Sequence, residues 1–533
     1  MCLSIIPPEF YSEKAVYDFM QTANLDALIP REDFEIKEKA MQSQSVQAIG
    51  IKDVERESFF YPVLRKPDFQ RETSEWDPTR VCDLISSFLS GDLIPAIILW
   101  NSGKYIFVID GAHRLSALIA WVLDDYGDGI LSRTFFENNI SDEQVAVASA
   151  TRSLVKKSIG SYTDHKFAIQ NEEKVSKDLL ERARKLASLA IQVQWVYGDA
   201  DKAEASYFKI NQGAVHVHPT ELRLLKSRDK ASAIAARAIM RSGTGHKYWS
   251  KFPEDTQQKI EDIAKDIHKI IFVPQLKTPI KTLDLPVAGP VYSSQTLSLI
   301  LDLVNLINNV KSEEDLEIDS SGEETVNFLK FTRKIMQRMS GDHASSLGLH
   351  PAVYFYTPQG RFLSTSLLAM IQLIKDFENK NYFNTFIKNR QAFEDFILKY
   401  KDFVQQINNR SRTGMKGYKP VKELYQLIIE SLDKGIVEED IVKNLKATRK
   451  FSFLKTDNID ITEIGRRDFS KETKSEAYLK EALKNPIRCS ICGGLIHRNS
   501  ITIDHIARKE DGGLGNIGNA QLAHPYCNTT YKN

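Results

Sequence analysis

The sequence predicts an α+β chain in three parts. A mixed strand-and-helix domain covers 1–272, a mostly α-helical middle covers 273–470, and a small cysteine-rich module covers 471–533. Three observations carry this reading. Short β-branched and aromatic runs alternate with helical runs as far as residue 272. Four prolines within 273–291 break any regular element, and helical periodicity dominates from there to 447. Finally, Cys489, Cys492 and Cys527 crowd the end of the chain, while Cys2 and Cys82 stand alone.

In the first part, 97–100 and 105–109 read as strands, and Asn101-Ser102-Gly103-Lys104 between them reads as a hairpin turn. Leu115, Leu118, Ile119 and Val122 then fall at helical spacing over 115–125. In the middle, helices are expected at 294–309, 324–340, 364–379, 383–407, 420–433 and 437–447. The acidic stretch 311–323 reads as an exposed loop. Residues 456–470 read as the approach to the last module, with a helix at 471–484 leading into it.

The bulk properties narrow the function. A chain of 533 residues exceeds one core, and 42% hydrophobic with 26% charged residues argues against global disorder. A net charge of +1 excludes a uniformly basic nucleic-acid glove, so any DNA contact must come from local patches. The start of the chain lacks a basic region followed by an apolar run, and 296–310 is interrupted by Asp302 and two asparagines. A cytoplasmic location without membrane contact is expected.

Cys489-x2-Cys492 is followed by Gly493-Gly494, and His524-x2-Cys527 lies beyond it. Two such pairs provide four N/S ligands, enough for a closed tetrahedral Zn2+ site of structural type. Between them, 501–503 reads as a strand whose end carries Asp504 and His505 side by side, facing opposite ways along the pleat. A Gly-rich loop over 511–516 precedes a second strand at 519–522, and Asn528 opens a short terminal helix.

These residues resemble the HNH family, whose ββα-metal unit pinches one divalent ion between a hairpin and a helix. The resemblance implies a DNA endonuclease in which His505 is the general base. Asp504 and Asn528 would hold Mg2+ or another divalent cation, and Asn519 would brace the loop carrying the base. Phosphodiester hydrolysis suits an imidazole base and a hard cation, and oxygen ligands suit Mg2+ as thiolates suit zinc. The chain ends at Asn533, leaving little room for a further metal ligand on the terminal helix.

A second resemblance rests on three segments. The first is Lys66-Pro67-Asp68-Phe69-Gln70-Arg71 with Trp76. The second leads from 91–95 to Asp110-Gly111-Ala112-His113-Arg114. The third runs from Tyr207 through Asn211-Gln212-Gly213 to Arg223. Their order is similar to the N-terminal domain of GmrSD-type, modification-dependent restriction enzymes, which implies a ParB/sulfiredoxin-like fold. Read physically, Gly111 permits close backbone approach, a helix N-terminus favours an anion, and Arg114 offers a fork for phosphate. The alternative is a tight strand-to-helix turn with Arg114 in a structural ion pair. The candidate nucleotide- or phosphate-binding residues are Asp110, Gly111, His113, Arg114, Gln70, Arg71 and Asn211. Ala112 and His113 replace the two glutamines usual in the restriction-enzyme motif, a form closer to ParB-like proteins.

Together these readings point to a restriction or phage-defence endonuclease cutting foreign DNA, regulated by DNA modification or by a nucleoside triphosphate. The alternative is an NTP-hydrolysing or DNA-binding regulatory protein in which the HNH module is secondary or structural. Basic clusters at 409–412 and 446–450 either meet the DNA backbone or form solvated faces. A homo-oligomer is compatible with the sequence, which leaves the oligomeric state open.

Overall fold

A computed structural model describes residues 22–32, 46–68, 70, 73–74, 76–138, 140–213, 223–224, 226, 227–291, 295–411, 414–456 and 469–532. The chain divides into two compact units: one within Met1–Lys226, the other comprising Ser227–Gly243, Lys247–Val291 and Gln295–Asn533. The divisions expected at 273 and 471 both fall inside the second unit.

The first unit is built on six strands: β1 (Arg31–Glu32), β2 (Ala48–Gly50), β3 (Leu64–Pro67), β4 (Ile97–Asn101), β5 (Ile106–Asp110) and β6 (Ala190–Val196). They lie in the order β1-β3-β5-β4-β6-β2. β4 and β5 form the expected antiparallel hairpin; the Ser102 amide donates to Tyr105 O at 3.0 Å, and Gly103 takes φ 93° in the turn. β3 joins β5, and β6 joins β4, in parallel. Helices α1 (Pro78–Ser90), α2 (Ala112–Leu123), α3 (Ile130–Phe135), α4 (Asp142–Ser158), α5 (Tyr162–Gln170), α6 (Lys177–Lys185) and α7 (Ala200–Gly213) complete the unit.

Helix α1 forms where its residues dictate. Asp77 accepts from the Arg80 amide at 2.9 Å as N-cap, Pro78 opens the helix, and Gly91 closes it at φ 77°. Its buried stripe (Val81, Ile85, Phe88, Leu89) shares one apolar core with Leu115, Leu118 and Ile119 of α2 and with Leu64, Ile97 and Leu99 of the sheet. Lys66, from the first motif, is part of this interior rather than of a ligand site. Lys66 and Arg31 both bind Asp26 Oδ1, at 2.6 and 2.7 Å, so a buried carboxylate ties β1 to β3.

The second unit contains α8 (Ala231–Met240), α9 (Glu254–Phe272), α10 (Thr296–Ile307), α11 (Glu323–Met339), α12 (Pro351–Tyr354), α13 (Ser364–Lys380), α14 (Phe383–Lys399), α15 (Asp402–Ser411), α16 (Tyr418–Asp433), α17 (Glu438–Ala447) and α18 (Lys471–Ala482). The hairpin β7 (Thr502–His505) and β8 (Ala520–Ala523) follows, then a single helical segment at Cys527–Tyr531.

The helix expected over 383–407 is two helices, broken at Tyr400–Lys401, where Tyr400 leaves helical geometry at ψ 38°. Periodicity could not reveal the break. Phe393, Phe396 and Ile397 before it, and Phe403, Val404 and Ile407 after it, are all buried, so the apolar stripe runs on across the bend. The segment 273–291 carries no helix or strand, as its prolines require, yet Ile280, Leu285, Val287 and Ala288 are buried. It is part of the packed interior of the second unit.

Gly111 joins β5 to α2 at φ 95°, where a Cβ would lie 2.5 Å from Ile97 Cδ1 and 3.0 Å from the Arg114 guanidinium. Gly111→Ala is therefore expected to cost the first unit about 1–3 kcal/mol. Tryptophan fluorescence during urea unfolding checks this, because Trp76, Trp100, Trp121 and Trp195 all belong to that unit. An unchanged midpoint would show the turn to be unstrained.

Candidate nuclease and metal site

Cys489, Cys492, His524 and Cys527 are all buried, and their ligand atoms lie within 4.8 Å of one another. His524 Nδ1 stands 3.4 Å from Cys492 Sγ and 3.9 Å from Cys527 Sγ. A tetrahedral zinc with bonds of about 2.1–2.3 Å separates its ligands by about 3.6–3.8 Å, so the donor set fits that ion in spacing and chemistry. The His524 Nε2–H donates to Leu495 O at 2.9 Å, which leaves the Nδ1 lone pair for metal. Burial and the adjacent Arg390 guanidinium hold this imidazole below its ordinary range, keeping it neutral as a ligand must be.

The thiols need a cation as well. Hydrogen bonds from Cys492 and Cys527 hold the Cys489 thiol low, while the contact with Cys489, together with burial, pushes Cys492 up to about 11. A bound metal would supply the positive charge that three ionised thiolates in one buried cluster require.

Glycines shape the knuckle for two distinct reasons. Gly493 turns the chain at φ 69°, with Cys489 accepting from its amide at 2.9 Å. Gly494 leaves room for Arg390, whose Nε would sit 2.4 Å from an added Cβ. Arg390 and Glu394 of α14 are fully buried and joined at 2.7 Å. Arg390 also donates to Leu347 O and to Gly348 O at 2.9 Å, and its Nη1 lies 3.2 Å from His524 Nδ1. Glu394 accepts from Tyr354 OH at 2.9 Å and from the Leu495 amide at 2.8 Å. The pair therefore ties the helices of the second unit directly to the knuckle. Sequence reading missed it, although an Arg and a Glu four apart amid Phe386, Ile387, Phe393 and Ile397 was a readable signal of a buried ion pair.

β7 and β8 pair in antiparallel register, setting Asp504 opposite Gln521 and His505 opposite Ala520. Asp504 is 5% exposed, and its Oδ2 accepts from Gln521 Nε2 and from Lys532 Nζ, each at 2.7 Å. Lys532 Nζ also donates to His505 O and, at 3.4 Å, to Ile506 O. His505, on the opposite side of the strand, is partly exposed. Asn519 closes the loop that follows: its Oδ1 accepts from the Ala507 amide at 2.7 Å, and its Nδ2 donates to Ala507 O at 3.1 Å and Leu514 O at 2.9 Å. The Asn528 Nδ2 reaches back to Ile503 O at 3.3 Å and Thr502 Oγ1 at 3.4 Å, which binds the terminal segment to β7.

Asp504, His505, Asn519 and Asn528 are thus gathered on one hairpin and the turn after it. Gln521 and Lys532 were not foreseen. The hairpin register points to the first, and the four-residue step from Asn528 points to the second.

In the first unit, Asp110, Gly111, His113 and Arg114 meet at the strand-to-helix turn, and Gln70 Nε2 reaches Ile109 O at 3.4 Å beside them. Arg114 binds Asp110 Oδ2 at 2.7 Å and Ala96 O at 3.1 Å, the ion pair of the tight-turn alternative. His113 stacks on Trp76, ring centroids 5.7 Å apart. Arg71 and the side chain of Asn211 lie outside the described residues.

Removing one member of a buried pair strands the other. Glu394→Ala should destabilise the second unit by about 3–5 kcal/mol and speed loss of zinc to a chelator. Thermal unfolding together with a colorimetric zinc assay checks both effects. Wild-type behaviour in both would remove the pair from this role.

Residues 51–228 match the family model described as GmrSD restriction endonuclease, N-terminal domain, and residues 489–533 match that of the HNH endonucleases. No curated protein and no solved structure matches the chain. No helix among the described residues is long and apolar enough to cross a membrane. The chain is therefore similar over 51–228 to the N-terminal domain of the GmrSD restriction endonucleases and over 489–533 to the HNH endonucleases, with a Cys3His cluster that could hold a metal inside the latter segment.

Proposed function

We propose that this endonuclease is metal-dependent and cuts foreign DNA under control of its N-terminal domain. The observation that carries the reading is the adjacency of Asp504 and His505 at the end of β7, in a hairpin whose flanks supply the Cys3His cluster. In this reading 471–533 is the nuclease domain, 273–470 is its helical support, and 1–272 is a ParB/sulfiredoxin-like sensor. The sensor would take a modified base or a nucleoside triphosphate near Asp110, Gly111, His113 and Arg114.

The division of labour follows from ligand type. The thiolates and His524 would hold a structural zinc, while Asp504 and Asn528 would offer oxygen ligands to Mg2+. A divalent ion held there would supply positive charge against the scissile phosphate. His505, on the other side of the strand, takes the proton of the attacking water. Asn519 fixes the backbone just beyond His505, so the imidazole is aimed by a closed loop. Gln521 holds the Asp504 carboxylate in one orientation through Oδ2.

A second reading, a DNA-binding regulator whose HNH module does not cut, draws on one observation: the Lys532 ammonium sits on the carboxylate that would carry the metal. The two readings part experimentally. His505→Ala should lower cleavage of plasmid or phage DNA about 10²–10⁴-fold, with DNA affinity and zinc content unchanged. If wild-type protein leaves unmodified and base-modified DNA intact with Mg2+ and every NTP, the regulator reading stands instead.

Lys532→Met removes a competing cation from Asp504 and should tighten divalent-ion binding about fivefold, as titration calorimetry with Mn2+ would show. Equal or weaker binding would mean that the ion and the ammonium do not share this carboxylate.

A further inference from the structure

The two basic clusters of the helical region, forty residues apart in sequence, converge on one cavity of about 370 Å3. Its walls include Arg410 at the end of α15, Arg449 and Lys450 just after α17, and Phe453; Ile407 and Pro420 contribute apolar floor. The Arg410 guanidinium lies over the Phe453 ring, 4.7 Å from its centroid. Lys450 is spent on Glu423. Arg410 and Arg449 are exposed, and among the described residues neither is paired with a carboxylate.

The wall bearing Arg449 is fixed in place. Gln406 of α15 grips Lys455 twice, donating to its carbonyl at 2.9 Å and accepting from its amide at 2.7 Å. Phe451 and Leu454 are 1% and 3% exposed, anchoring the turn between the two arginines' supports. Solvated cations on a free surface would need none of this. A guanidinium is a preformed fork for phosphate oxygens, and a ring beside it offers a face to a sugar or base. With a net charge of +1 over the whole chain, DNA must be held by local cations that have no acidic partner, and these two qualify.

We infer that this cavity is an anchoring site for the phosphate backbone of the substrate DNA, with Arg410 and Arg449 each taking a phosphate. The inference rests on the reading of the chain as an enzyme acting on DNA. The site adds affinity without reading sequence, because phosphate contacts position a duplex and do not specify it.

The test is fluorescence anisotropy of the full chain with a labelled duplex and no added Mg2+, over about 50–200 mM NaCl. Two phosphate contacts contribute about 1.8 to the slope of log K against log salt. Arg410→Gln/Arg449→Gln should lose that amount while keeping its zinc and its melting temperature. Arg410→Lys/Arg449→Lys should keep most of the slope. A slope in the Gln variant equal to wild type would overturn the inference. So would a variant that loses only a thermal shift by ATP or inorganic phosphate, which would assign the cavity to a free phosphate ligand. His505→Ala separates this from the catalytic reading: it should bind with the full slope and not cut. Cutting by that variant would sink the catalytic assignment and leave the anchoring site to its own slope.

Discussion

Three thiols and an imidazole buried within 4.8 Å of one another repel or go unionised unless a cation joins them. The geometry of the nuclease hairpin depends on that constraint. Cys489 and Cys492 sit before β7, and His524 and Cys527 directly after β8, so an ion that satisfied the sulfurs would also clamp both ends of the hairpin. With only four residues in each strand, the hairpin has little else to hold it. The Ser490 amide bonded to Leu522 O, and Asn528 bonded to β7, extend the clamp by ordinary hydrogen bonds.

The helical region completes the same structure. Arg390 brings a permanent positive charge beside the thiolates, and Glu394 both neutralises it and fixes the Leu495 amide, whose own carbonyl orients His524. Gly348 packs against His524 so closely that a Cβ would lie 2.5 Å from the ring, and the Tyr526 amide donates to Ser346 O. A metal site of this kind is not a bead at the end of a chain. Its surroundings are drawn from residues more than a hundred positions earlier, which is why the nuclease hairpin and the helices form one unit.

Much of this was legible in the sequence because it is local. Cys-x2-Cys-Gly-Gly, Asp504-His505 and the β4–β5 turn are signals carried by adjacent residues, and each element stands where its residues put it. What was hidden is long-range. The i,i+4 spacing of Arg390 and Glu394 marks an ion pair but not its place against the knuckle. Gln521 is found only through register with Asp504, and the step from Asn528 to Lys532 does not tell which carboxylate the ammonium meets. The bend at Tyr400 was invisible because an apolar stripe continued through it. In the N-terminal domain the sequence offered either a phosphate fork or an ion pair for Arg114, and the structure places that guanidinium on Asp110.

The central claim is that a buried zinc organises the nuclease hairpin, and metal analysis of the intact chain addresses it most directly. About one zinc per chain is expected in protein purified without added metal. Cys489→Ser should lose it and unfold the second unit at lower temperature. A folded, zinc-free wild-type protein with the stability of the metal-loaded form would contradict the account.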